Sequence, residues 1–361
     1  MQRPEGAGLA WIGAYCAAHA LVDASCAALI FSASATGRLP APIALAAVVT
    51  YNLLAFALQP VLGWFVNDGG SARMWARAGA LATVLAFLVS QFAAAIWPAI
   101  VLAGVGNAVF HLGGGVIALR AEPGRATIPG LYVAPGAAGL VAGMWMGTNQ
   151  WFAWLPAVLL LVAVPFLRHV AASEERWVPV GGDLRIALTL AVVGLLFLVV
   201  AMRAFVGSGI PMPWKADPLL LVALTAAVVA GKAAGGLLAD RFGRVVIGVG
   251  ALALSAPLLV AAPGTAWTGI AGMLLFNMTM PVTLVAIADV MPERPGLAFG
   301  LTCLALITGG LPAILHLTGT ISAVPAAIWV LGSAALLWCG LTWARSGRTT
   351  LAGLRPRSEE V

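Results

Sequence analysis

His19 and Asp23 stand four residues apart in "AYCAAHALVDASCAALIF", residues 14–31, a run that is otherwise almost wholly apolar. A separation of four puts both side chains on one face of a helix. There an imidazole and a carboxyl can hydrogen-bond each other or a common ligand, and both can take up and release a proton. An ionised carboxylate at membrane depth costs at least about 2.5–3.5 kcal/mol on insertion scales, so Asp23 is expected to face a cavity or a partner. A polar contact that only fixes helix packing is the competing reading.

Other polar residues interrupt apolar runs in the same way. His111 ends "GVGNAVFH", residues 104–111, which also holds Asn107 and is followed closely by "GGG" at 113–115. At 1.5 Å per residue His111 falls about 17 Å into its helix, near mid-membrane. Arg203 lies toward the far end of its own run and either snorkels to the interface or turns inward. Lys232, flanked by Ala230, Gly231, Ala233 and Ala234, either reaches the near interface or enters a central cavity to meet an anion. Asn277 and Pro281 in one run, like Pro129 and Pro135 in another, permit local breaks whose freed backbone groups line a cavity. His111, Asn107, Arg203, Lys232 and Asn277 are therefore the expected substrate-binding set. No nucleophile, base and orienting group share a readable spacing, no cluster has metal-ligand spacing, and no G-x-x-x-x-G-K-[ST] loop is present, so neither an enzyme, a cofactor nor a resident metal is expected. Cys16, Cys26, Cys303 and Cys339 all fall inside apolar runs and read as small packing residues.

Composition dictates what must position these groups. Of 361 residues, 61% are hydrophobic and only 9% are charged, with a mean hydropathy of +1.01, whereas a soluble domain carries about 25% charged residues. Twelve apolar segments long enough to span a bilayer as helices are predicted, over about 8–32, 41–66, 75–95, 97–119, 127–147, 150–167, 185–206, 218–238, 245–262, 265–290, 297–317 and 323–344. The first is read as a span and not as a cleavable signal, because its apolar run continues through His19 and Asp23. Arg73, Arg77, Arg120, Arg125, Arg241, Arg244 and most other arginines fall on one side of this arrangement, and the opposite loops hold only Arg38 and Lys215. The positive-inside rule then places both termini in the cytoplasm. The net charge of +6 is accounted for by that belt, and no nucleic-acid partner is inferred.

The chain also reads as a duplication. The polar stretch 168–184 divides an N-terminal six-helix bundle, 1–167, from a C-terminal one, 185–344, with a tail at 345–361. A shift of about 172 residues brings "GWFVNDGGSAR", from Gly63, onto "GLLADRFGR", from Gly236. "GLLADRFGR", residues 236–244, resembles the G-x-L-A-D-R-x-G-R loop signature of the major facilitator superfamily at every defined position. Gly236, Asp240, Arg241, Gly243 and Arg244 carry it, with Gly243 supplying a tight turn, Asp240 placed to meet a helix N-terminus and the arginines placed to pair with carboxylates. Asp289, with Glu293 after it, is expected to join this gating latch. The first-half copy, Asn67-Asp68-Gly69-Gly70, is degenerate.

"HALVD", "GVGNAVFH" and "MRAFVGSG", residues 202–209, are similar to stretches of the fosmidomycin-resistance branch of that superfamily, although Leu112 stands where a proline commonly follows Phe-His. The resemblance implies an all-α integral membrane protein of the major facilitator fold, a monomer in a bacterial inner membrane. It implies efflux of a small anionic or drug-like compound by proton antiport; alternating access is expected, and Asp23 with His19 is expected to bind the coupling proton, because a carboxylate at membrane depth is costly when charged and far cheaper when neutral. An uptake carrier or facilitator, or a non-transporting sensing module, are the alternatives. A topology reporter fused at Val361 should read out as cytoplasmic; an external signal would overturn the orientation.

Overall fold

The computed structural model describes residues 10–149, 151–168, 183–317 and 319–353. Among these the chain is helical throughout, with no strand. Twelve helices follow one another: α1 (Ala10–Ala35), α2 (Ala41–Gly63), α3 (Gly69–Val89), α4 (Ala93–Ala121), α5 (Thr127–Gly147), α6 (Leu155–Phe166), α7 (Asp183–Gly209), α8 (Pro218–Phe242), α9 (Arg244–Ala261), α10 (Ala266–Val290), α11 (Pro295–Ile314) and α12 (Ala323–Gly353). Eleven are long and apolar enough to cross a membrane. The exception is α6. It was expected over 150–167, but the chain turns through Trp151–Trp154 and the helix begins only at Leu155, with Pro156 in its first turn, where a missing N–H is harmless.

The third helix also differs from expectation. It starts at Gly69 and not near 75, because Asp68 caps it, accepting from the Ser71 backbone N–H at 2.7 Å. The Ser71 N–H and hydroxyl hold the Asp68 carboxyl below the usual carboxylate range. Most of the segment between the halves, 169–182, and the end of the tail, 354–361, lie outside the described residues.

The two sixes pack alike. α1 lies on α5 as α7 lies on α11, and α3 lies on α4 as α9 lies on α10. The α1–α5 crossing is built from small residues: Gly136, Gly139, Gly143 and Gly147 face α1, and a Cβ added at Gly139 would sit 2.1 Å from the Ala20 carbonyl oxygen. In lipid, where apolar side chains gain nothing by leaving hydrocarbon, such close backbone approach supplies the van der Waals contact that holds helices together. The halves meet by two equivalent contacts at the arginine-rich end. A Cβ added at Gly63 (α2) would lie 2.3 Å from the Gly296 carbonyl oxygen (α11), and one added at Gly236 (α8) would lie 2.3 Å from that of Ala126, which precedes α5.

Gly139→Val should therefore push α1 from α5 and lower the midpoint of thermal unfolding by about 5 °C or more. Gly250→Ala, which meets nothing within 4 Å, is the control and should leave the midpoint within about 1 °C. Equal midpoints for both variants would contradict the close-packed crossing.

Candidate functional site

The site is organised by a break in α5. Helical geometry runs over Thr127–Val133 and resumes at Gly136, because Pro135 has no N–H to donate to the carbonyl four residues back and its ring crowds that carbonyl. Carbonyl groups at the break need other partners at this depth. The Leu131 oxygen accepts from Cys16 Sγ at 3.2 Å, the Tyr132 oxygen is bonded by His19 Nδ1 at 2.7 Å, and the Val133 oxygen accepts from Lys232 Nζ at 3.4 Å. One kink thus receives two residues of α1 and one of α8.

His19 and Asp23 share a face of α1 as their spacing requires, and α4 adds His111. His19 Nε2 stands 2.8 Å from His111 Nε2, and the Asp23 oxygens lie 3.4 Å from the first and 3.6 Å from the second. Asn107, one turn before His111, donates from Nδ2 to Asp23 Oδ1 at 3.0 Å and to the Tyr51 hydroxyl of α2 at 3.1 Å. The His111 Nδ1 bonds the Asn107 carbonyl oxygen at 2.9 Å. Both imidazoles are buried, while the Asp23 side chain keeps 19% of its surface, so the cluster is reached from the carboxylate side. The cluster offers three metal-ligand atoms mutually within 4.8 Å.

In the second half, Arg203 does not snorkel. It is buried at 7% exposure, donates from Nη2 to the Phe276 carbonyl oxygen at 2.8 Å, and its guanidinium lies 5.0 Å from the centre of the Phe276 ring. Among the described residues its Nε has no hydrogen-bond partner. The oxygen that it bonds lies at a second break, between Ala266–Asn277 and Thr279–Val290 of α10, just ahead of Pro281. Lys232 lies close enough to Asp23 and Arg203 for their charges to act on it. Asn277 is spent on its own helix, donating to the Met273 oxygen at 2.8 Å, and is not joined to the cluster.

At the arginine-rich end the residues of the loop signature, where the latch was expected, bond across the two halves. Asp240, at the end of α8, accepts from the Ala126 and Thr127 backbone N–H groups at 2.8 Å each and from the Thr127 hydroxyl at 2.6 Å. A carboxylate there meets the positive end of the α5 dipole. Arg244 bridges Asp289 at 2.5 Å to the Gly124 carbonyl oxygen, and Gly243 makes the turn between them with φ of 95°, a conformation natural to glycine. Gly236 provides the close approach described above. Arg241 is exposed over the Phe242 ring and takes no part in the latch.

Sequence reasoning did not find Tyr51, Tyr132 or Gly136 as site residues. Tyr132 and the Val133 carbonyl were signalled only by Pro135. Gly136 is required because an added Cβ would lie 2.6 Å from both His19 Nε2 and Asp23 Oδ2.

No protein-family model matches the chain, and no curated protein matches it. Solved structures do match in architecture, and the fold is that of the major facilitator superfamily transporters. The E. coli fucose:proton symporter is 9% identical, with a TM-score of 0.62 over 93% of this chain and 98% of its own. The human organic anion transporter MFSD10 is 15% identical, with a TM-score of 0.61 over 98% of this chain and 100% of its own. A bacterial homologue of the iron transporter ferroportin, in an outward-facing state, is 15% identical, with a TM-score of 0.51 over 94% and 100%.

Asp240→Asn leaves one acceptor oxygen where three donors now converge, and should loosen the latch without unfolding the bundle. Cys303, buried in α11 at 6% exposure, should then react several-fold faster with a water-soluble maleimide, as read by mass spectrometry of labelled peptides. Unchanged labelling at Cys303 would show that the latch does not hold this end closed.

Proposed function

We propose that this protein is a secondary transporter that works by alternating access and carries a small anionic compound. The observation that carries this reading is the pair of interior cations in the second half, Lys232 and Arg203. Each is held by a carbonyl group at a helix break, and across the interface the first half offers the carboxylate of Asp23, close enough to act on Lys232. A buried guanidinium with an unsatisfied Nε is an expensive feature unless an anion completes it. In low dielectric, the two cations and the Asp23 carboxylate leave one positive charge in excess, which favours a singly charged anion or a larger anion bound together with a cation.

The latch supports alternating access, because Asp240 and Arg244 join the halves at the arginine-rich end through bonds that must part for that end to open. The arginine belt supports the cytoplasmic placement of this end. Efflux is the direction we propose, on the residues shared with the fosmidomycin-resistance branch, "HALVD" and "GVGNAVFH". A neighbour of like architecture is named as an organic anion transporter, which is in keeping with an anionic cargo.

Lys232→Met keeps the length of the side chain and removes its charge. In proteoliposomes it should lower uptake of anionic compounds by about 10-fold to 100-fold, the worth of one charge-assisted hydrogen bond in a dry site, while a neutral compound of like size is affected less than about 3-fold. Equal losses for anionic and neutral compounds would overturn the anionic cargo.

A further inference from the structure

We propose that His19 Nε2, His111 Nε2 and the Asp23 carboxylate bind a divalent transition-metal ion of the zinc or cobalt kind. The donor set comes first. A carbonyl oxygen only accepts, so the contacts of His19 Nδ1 with Tyr132 and of His111 Nδ1 with Asn107 place the ring proton of each neutral imidazole on Nδ1. Each Nε2 is then left with a bare lone pair. These two atoms stand 2.8 Å apart, with the Asp23 oxygens 3.4 and 3.6 Å from them. Electron-rich atoms converge on one point with no donor between them, and a cation at that point removes their repulsion.

The spacing of the rings selects the kind of cation. A proton shared by two ring nitrogens favours a nearly straight N–H···N line, and at this nitrogen separation a straight line sets the ring centres about 5 Å apart. The centres are only 4.4 Å apart, so the two Nε2 lone pairs do not face each other along one line and have room to meet at a third point. Ligand atoms bonded to zinc at about 2.0–2.1 Å are separated by about 2.9 Å at a right angle and by about 3.4 Å at the tetrahedral angle. The nitrogen–nitrogen separation of 2.8 Å is close to the right-angle value, and each carboxylate oxygen lies within a few tenths of an ångström of the tetrahedral value from one nitrogen, Oδ2 from His19 and Oδ1 from His111.

The surroundings match as well. Ligating histidines characteristically donate their other ring N–H to a carbonyl or carboxylate, and ligating carboxylates are themselves hydrogen-bonded; here Tyr132, the Asn107 carbonyl and the Asn107 amide fill those places. Gly136 keeps the space beside Nε2 and Oδ2 clear of a side chain. Three protein ligands leave at least one coordination position open. The neighbouring Lys232 favours an anion there, which connects this site to the transport reading without depending on it. Metal at Nε2 also displaces the coupling-proton role that the sequence suggested for Asp23 and His19.

The test uses the full-length protein in detergent, stripped with chelator and titrated with Zn2+ and Co2+. Wild type should bind one equivalent, and the visible bands of the cobalt form together with X-ray absorption of the zinc form should show two imidazole ligands. His19→Ala and His111→Ala should each weaken binding at least 100-fold. Gly136→Ala, which keeps every ligand and fills the adjoining space, should weaken it about 10-fold, with the metal-free thermal midpoint reported for each variant. No stoichiometric binding by wild type, or a zinc spectrum without two imidazoles, overturns the proposal whether or not the variants fold. If metal binds and Lys232→Met lowers the uptake of anionic and neutral compounds equally, the metal site stands and the transport reading fails.

Discussion

In hydrocarbon, a backbone carbonyl group that loses its helical partner must find another, and the consequences of that rule at Pro135 organise the centre of this molecule. The kink in α5 directs carbonyl oxygens toward α1 and α8 and so calls Cys16, His19 and Lys232 to fixed places. The bond to Tyr132 does more than satisfy an oxygen. It decides which nitrogen of His19 carries the proton and turns the other toward His111 and Asp23. The chemistry of the cluster is thus set by a backbone break one helix away. In α10 the Phe276 carbonyl, beside the break at Met278, likewise takes side-chain donors, Arg203 and the Thr279 hydroxyl.

Duplication supplies two equivalent contacts between the halves, and the two have diverged. Gly63 against Gly296 repeats Gly236 against Ala126, so the close backbone approach is common to both. The carboxylate is not. Asp240 crosses to the N-terminus of α5, whereas Asp68, its counterpart, turns back to cap its own α3. At that first-half contact Arg294 instead lies 4.1 Å from the centre of the Trp64 ring, a cation–π contact of modest strength when exposed. Arg294 also donates to the Trp64 carbonyl oxygen at 3.4 Å, so it is the carboxylate bonding between the halves that is concentrated on one side of the pseudo-symmetric pair.

Much of this was legible in the sequence. Hydropathy marked twelve segments, the i, i+4 spacing of His19 and Asp23 placed them on one face, and the loop signature pointed Asp240 at a helix N-terminus, where it lies. Departures came where local chemistry outweighs hydropathy: Asp68 capping lengthened α3 at its start, and the turn at Trp151–Trp154 shortened α6. Pairings between distant helices were out of reach. Nothing in the types of Tyr132 and Gly136 marks them, because one acts through a backbone oxygen and the other by lacking a side chain. Asn277 lies apart from the cluster, since a polar residue in an apolar run can bond the preceding turn, as it does at Met273.

The central claim is that carbonyl oxygens of Tyr132 and Asn107 fix both imidazoles with Nε2 turned to a common point. Nitrogen NMR of 15N-histidine-labelled protein in lipid nanodiscs tests it most directly, with His19→Gln and His111→Gln assigning the two rings. The account predicts that both rings carry the proton on Nδ1 and leave Nε2 unprotonated. An Nε2–H tautomer at either ring in metal-free protein would contradict it.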